Sequence, residues 1–72
     1  MANESIANER VKLFLADNLL ADVIDMKASS ANAHLELYQI TKDKYDLKEA
    51  EKYSEQIKIL LSARKVLLDT IE

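Results

Sequence analysis

The sequence predicts an all-α protein, and three observations carry that prediction. Ala, Leu, Glu, Lys and Ile dominate its 72 residues, and all but Ile rank among the strong helix formers. Glycine and proline are both absent, which removes the residues that tight turns between strands prefer. Apolar residues recur at alternating steps of three and four over most of the chain. Only one convincing break interrupts this pattern, at Thr41-Lys42-Asp43-Lys44-Tyr45-Asp46-Leu47-Lys48-Glu49. The expectation is therefore a single domain over residues 1–72: an antiparallel helical hairpin with a long or kinked N-terminal arm, two to three helices in all, completed by a partner chain.

The first arm begins near Asn3 or Ser5, either of which can cap it, with Glu4 and Glu9 at the positive end of the helix dipole. From Ile6 onward Val11, Phe14 and Leu15 lead into the seam Leu19, Val23, Met26, Ser30, Ala33, Leu37 and Ile40, in which only Ser30 is polar. A second line runs through Ile24, Ala28, Ala31, Leu35 and Tyr38. At about 100° per residue the two lines lie well over a quarter-turn apart, so this arm has two apolar faces. Within it, Lys27 to Ala33 admits two readings. Ser29 or Ser30 could start a fresh helix, or the small residues could sit inside one continuous arm.

At the break, Asp46 and Glu49 form a capping-box pattern, which places the turn at about Asp43 to Asp46 and the start of the last helix near Leu47. Its main face is Ala50, Tyr53, Ile57, Leu60, Arg64, Leu67 and Ile71, widened by Leu61 and Leu68. Ile59, Ala63 and Val66 add a second line, so the apolar arc is roughly twice the 100° that one core requires. Two antiparallel arms cannot cover both faces of each other. A continuous first arm also outreaches the second by several turns, leaving an overhang expected to carry Val11, Leu13, Phe14 and Leu15.

Composition narrows the function classes. With no cysteine there is no disulfide and no thiolate zinc site. A formal net charge of −3 is a poor match to a phosphate backbone, so no nucleic acid is expected. Apolar runs such as Leu13-Phe14-Leu15-Ala16 are too short to span a bilayer, and Met1-Ala2-Asn3-Glu4 lacks a basic n-region, so a cytoplasmic protein without membrane insertion is expected. No catalytic, cofactor-binding or metal-ligating residue is assigned, and no enzyme is expected. His34, the only histidine, has neither a nucleophile nor a second ligand histidine to work with, and reads as a boundary residue. Asp22 and Asp25 read as a solvated acidic strip, since calcium requires six to eight oxygens. Lys42, Lys44, Lys48 and Lys52 read as a solvated tip with acids interleaved, and Tyr38, Tyr45 and Tyr53 as clamps beside the turn, with Tyr45 stapling against Ala50. Arg64 has two readings: a snorkelling side chain, or an interface anchor.

The stretch Gln56-Ile57-Lys58-Ile59-Leu60-Leu61-Ser62-Ala63-Arg64-Lys65-Val66-Leu67 resembles the second hairpin helix of the small co-chaperones of the type III secretion needle. There, a helix with an Ala-Leu-Glu-Ser-Ala-like centre follows a short polar turn. Ile59 to Ala63 and Val66-Leu67 occupy the equivalent places, and the resemblance covers about the C-terminal half. It implies a cytoplasmic hairpin that docks on a helical-repeat chaperone and helps hold a needle subunit soluble by masking apolar helices. The expected partner interface is Ile57, Leu60, Leu61, Arg64, Leu67 and Leu68, with Leu19, Val23 and Met26 as a second surface. The alternative is a self-assembling homo-oligomeric bundle, such as a small phage or regulatory factor, with or without a small ligand between chains.

Overall fold

A computed structural model describes the backbone of residues 2–71 and the side chains of residues 7–71. Among these, the chain forms two helices and no strand: α1 (Ala2–Thr41) and α2 (Lys44–Ile71). They pack side by side as an antiparallel hairpin 60 Å long and 15 by 13 Å in section. Forty residues at 1.5 Å each also come to about 60 Å. The first arm is therefore one continuous helix, and nothing starts afresh at Ser29 or Ser30. Helix α1 begins at Ala2, ahead of both expected cap residues; the side chains of Asn3 and Ser5 lie outside the described residues.

The turn is tighter than the capping box at Asp46 implies. Only Lys42 and Asp43 separate the helices. Lys42 donates its N–H to the Tyr38 carbonyl at 2.8 Å and then turns the chain with φ 57°, the left-handed conformation that usually falls to glycine at a helix end. Asp43, not Asp46, is the N-cap: its Oδ1 accepts from the Tyr45 N–H at 3.0 Å. Thr41 locks the corner, its hydroxyl donating to the Leu37 carbonyl at 2.9 Å and accepting from the Asp43 N–H at 3.2 Å. Glu49 does not reach back to Asp46; it pairs with Lys52 at 2.8 Å. The Asp46 N–H is already taken by the Asp43 carbonyl at 3.1 Å.

A left-handed non-glycine residue costs about 1–2 kcal/mol, partly offset because glycine loses more entropy on folding. Lys42→Gly is therefore expected to raise stability by about 0.5–1 kcal/mol. A denaturation midpoint checks this, and a lowered midpoint would mean that the Lys42 side chain contributes more than its backbone costs.

The residues not left exposed trace the seam. On α1 they include Leu13, Asp17, Leu20, Ile24, Lys27, Ala31, His34 and Tyr38; on α2, Asp46, Ala50, Tyr53, Ile57, Leu60, Arg64, Leu67 and Ile71. Both series alternate steps of four and three, the signature of a two-stranded coiled pair. Arg64 on Asp17 and Asp46 on His34 fix the register. By that register Ala31 lies level with Ala50, and Ile71 level with Arg10. The overhang is then only about two turns of α1. Val11, Leu13, Phe14 and Leu15, expected on the overhang, lie instead alongside the last turns of α2.

The core is thin. Ala31 and Ala50, at 7 % and 3 % exposure, are the only buried apolar residues among those described, and no large side chain is fully buried. The two other buried residues are acids, Asp17 and Asp46.

Candidate protein-interaction face

Both buried acids sit in the seam with a partner. Arg64 grips Asp17 with two nitrogens, Nε to Oδ1 at 2.7 Å and Nη2 to Oδ2 at 3.4 Å. This bidentate geometry is the strongest form of the carboxylate–guanidinium contact. The hydrogen bond that Arg64 donates to Asp17, and then the Asp17 charge, raise the Arg64 pKa, against a smaller lowering by burial. Arg64 is thus not a free snorkelling side chain: its head is paired with Asp17 within the chain. At the other end, His34 Nδ1 lies 2.8 Å from Asp46 Oδ1, with the Thr41 hydroxyl 3.5 Å from Oδ2. Tyr53 stacks on the His34 ring at 5.9 Å, and Tyr45 meets it edge-on at 6.1 Å. His34 is therefore a seam residue rather than a boundary one. Tyr45 packs on it while staying largely exposed; with Asp43 as the N-cap, Tyr45 lies inside α2 and not ahead of the cap, where a staple against Ala50 would need it. Lys27 and Lys52 lie 5.3 and 5.0 Å from the Tyr53 ring centre, at cation–π distance.

These contacts consume polar groups and leave apolar ones outside. In an antiparallel pair, the positions one step before the seam residues of each helix fall on the same side of the hairpin. On α1 these are Ala16, Val23, Ser30 and Leu37, with Leu19, Met26, Ala33 and Ile40 just beyond; on α2 they are Gln56 and Ala63, with Ile59 and Val66 beyond. An open groove of about 230 Å³ joins the two helices on this side, lined by Val23, Lys27, Gln56, Ile59 and Leu60. Seven large apolar residues of this face, Leu19, Val23, Met26, Leu37, Ile40, Ile59 and Val66, remain 37 % to 80 % exposed. Fully covering one such side chain stabilises by roughly 1.5–3 kcal/mol. Covering these half-exposed seven is worth on the order of 5–10 kcal/mol, comparable with the whole stability of a small domain.

The residues expected at a partner interface are divided among three places. Leu19, Val23 and Met26 lie on the broad face. Ile57, Leu60, Arg64 and Leu67 are half-buried in the intramolecular seam, where Leu60 also floors the groove. Leu61 and Leu68 lie on the opposite flank with Phe14 and Leu35, a narrower strip bordered by Asn18, Asp25 and Asn32 on α1 and by Glu51, Lys58 and Lys65 on α2. Four contributors to the broad face were not selected from the sequence as interface residues: Leu37, Ile40, Ile59 and Val66. Each already stood in an apolar line of its own helix. Only the antiparallel pairing shows that the lines of the two helices merge.

Asp22 and Asp25 are both exposed, and among the described residues no group of three or more His, Cys, Asp or Glu could hold a metal ion. Lys42, Lys44 and Lys48 stand exposed around the tip. Among the described residues, no helix is long and apolar enough to cross a membrane. No protein-family model, curated protein or solved structure matches this chain.

Proposed function

We propose that this chain is a protein–protein interaction module: a hairpin whose broad apolar face is closed by helices of another polypeptide. The observation that supports it most is the inversion of exposure. Among the described residues two alanines form the buried apolar core, while seven large apolar side chains stand on one outer face. A continuous patch of this kind marks an interaction site, and its three-and-four spacing suits helices laid alongside.

The resemblance of Gln56 to Leu67 gives this reading a finer form. The chain would be a cytoplasmic co-chaperone of type III secretion, acting with a helical-repeat chaperone to hold a needle subunit soluble. Masking is the mechanism in either form, with apolar helices kept from water by burial against the hairpin. The reading assigns no catalytic residue.

Substitutions on the broad face test it without touching the seam. Tagged chain carrying Met26→Glu or Ile59→Glu is expected to lose at least ten-fold of the partner recovered by affinity capture from native cells, because a buried unpaired carboxylate is costly. Circular dichroism should show the helices retained. Undiminished recovery with both variants would refute the face as the interface. Recovery of a helical-repeat chaperone with a small filament-forming subunit would support the co-chaperone form; recovery of neither would remove it.

A further inference from the structure

We infer that the occupant of the broad face is a second copy of this chain, two hairpins pairing face to face into a four-helix bundle. This rests on the reading of that face as a protein interface and identifies what covers it.

Charge distribution is the first reason. An interface between identical copies sets the same patch against itself, so any net charge on the patch would repel its own image. The chain carries a formal charge of −3. Its broad face nevertheless holds little unbalanced charge. Glu49 and Lys52, which lie on that side, neutralise one another at 2.8 Å. Lys27, at the groove, rests over the Tyr53 ring of its own hairpin. Asp22, Asp25, Glu36, Glu51 and Glu55 project from the other sides of the two helices. A strongly cationic partner would find no unpaired carboxylate on the broad face alongside Leu19 to Ile40, whereas a second copy needs none.

Size is the second reason. From Leu19 to Ile40 the face runs about 32 Å along α1, and the hairpin is 15 Å across. That gives a flat footprint of roughly 500 Å². Projecting side chains carry more accessible surface than their footprint, which brings the face near the roughly 800 Å² per partner of a standard stable interface. Two hairpins with short turns, stacked by their apolar faces, close into a four-helix bundle, and two-fold dimers are the commonest closed oligomers.

Sedimentation equilibrium and thermal melts of the purified chain test the inference. The native protein is expected at twice its 8.2 kDa mass, with a melting temperature that rises with protein concentration, as subunit association requires. Met26→Glu and Ile59→Glu each place two carboxylates in the dimer interface and should raise the dissociation constant at least about 100-fold. Leu15→Glu, on the back of α1, should leave it unchanged. A helical native chain that sediments at 8.2 kDa, with a melting temperature independent of concentration, overturns the second copy whatever the variants do. If that monomer still captures another protein through Met26 and Ile59, the interface reading survives and the inference alone falls. If it captures none, both fall. A dimer unaffected by both face variants but broken by Leu15→Glu would also overturn the inference.

Discussion

Asp17→Lys is expected to destabilise the hairpin by about 2–3 kcal/mol, and the double variant Asp17→Lys, Arg64→Glu to recover most of that loss. Asp17 is 6 % exposed and receives both arms of the Arg64 guanidinium. A lysine there removes the acceptor and sets two positive groups together at the seam. Breaking a buried pair usually costs about 3–5 kcal/mol. The lower figure applies because Arg64 reaches water at one side, which screens the repulsion. For a chain of this size, 1 kcal/mol corresponds to roughly 4–8 °C in Tm, so the single variant should melt about 10–20 °C lower at equal protein concentration. Recovery in the swapped pair separates the charge interaction from simple packing. If the double variant is as unstable as the single, Asp17 contributes through its shape and backbone rather than through Arg64.

The same pair also selects the register. A slip of one heptad would set Asp17 against Ile57 or Ile71 and leave its carboxylate buried without a donor. The His34–Asp46 contact imposes the same condition at the turn end. Polar pairs of this kind specify alignment more reliably than they add stability.

Ala50→Leu is the second substitution with a large expected effect, about 1–3 kcal/mol of destabilisation. Ala31 and Ala50 are the buried apolar positions among the described residues and lie level across the seam. Only a methyl group on each side lets the helices approach closely there. A leucine has to push α2 away or leave its preferred rotamer, and overpacking a tight site carries this cost. Ala50 lies one turn from Asp46, whose 2.8 Å contact with His34 would stretch as the helices part. Urea midpoints at fixed concentration, with Ala50→Ser as the small-residue control, check this. A midpoint raised by leucine would show that the added apolar area outweighs the displacement.

Much of the fold could be read before any coordinates. The helical class, the single break near residues 41–49 and the main apolar face of α2 all follow from periodicity and from the absence of glycine and proline. That face, Ala50, Tyr53, Ile57, Leu60, Arg64, Leu67 and Ile71, packs on α1, whereas the sequence alone places Ile57, Leu60, Arg64 and Leu67 at a partner interface. The cap was not legible, because Asp43 and Asp46 are both acids near the break. Which of them caps depends on where the backbone turns left-handed, and Lys42 carries no sequence signal for that. The partner of Arg64 was also hidden, 47 residues away. Asp17 could have been suspected as the one acid interrupting Leu13, Leu20 and Ile24, on the opposite arm from the one base interrupting α2.

Two apolar lines at three-and-four spacing lie on α1, so its residues alone give it more apolar surface than one neighbour can cover. Which line turns inward depends on the pairing with α2. Hydrophobicity favours Leu19, Val23, Met26, Ala33, Leu37 and Ile40, yet that line stays outside. The inner line contains Asp17, Lys27 and His34, which look unsuited to a seam when α1 is considered alone. They suit it because α2, in antiparallel register, brings Arg64, the Tyr53 ring and Asp46 to meet them. A polar group enters an interface at low cost only when its partner arrives with it, and that partnership is a property of two helices together.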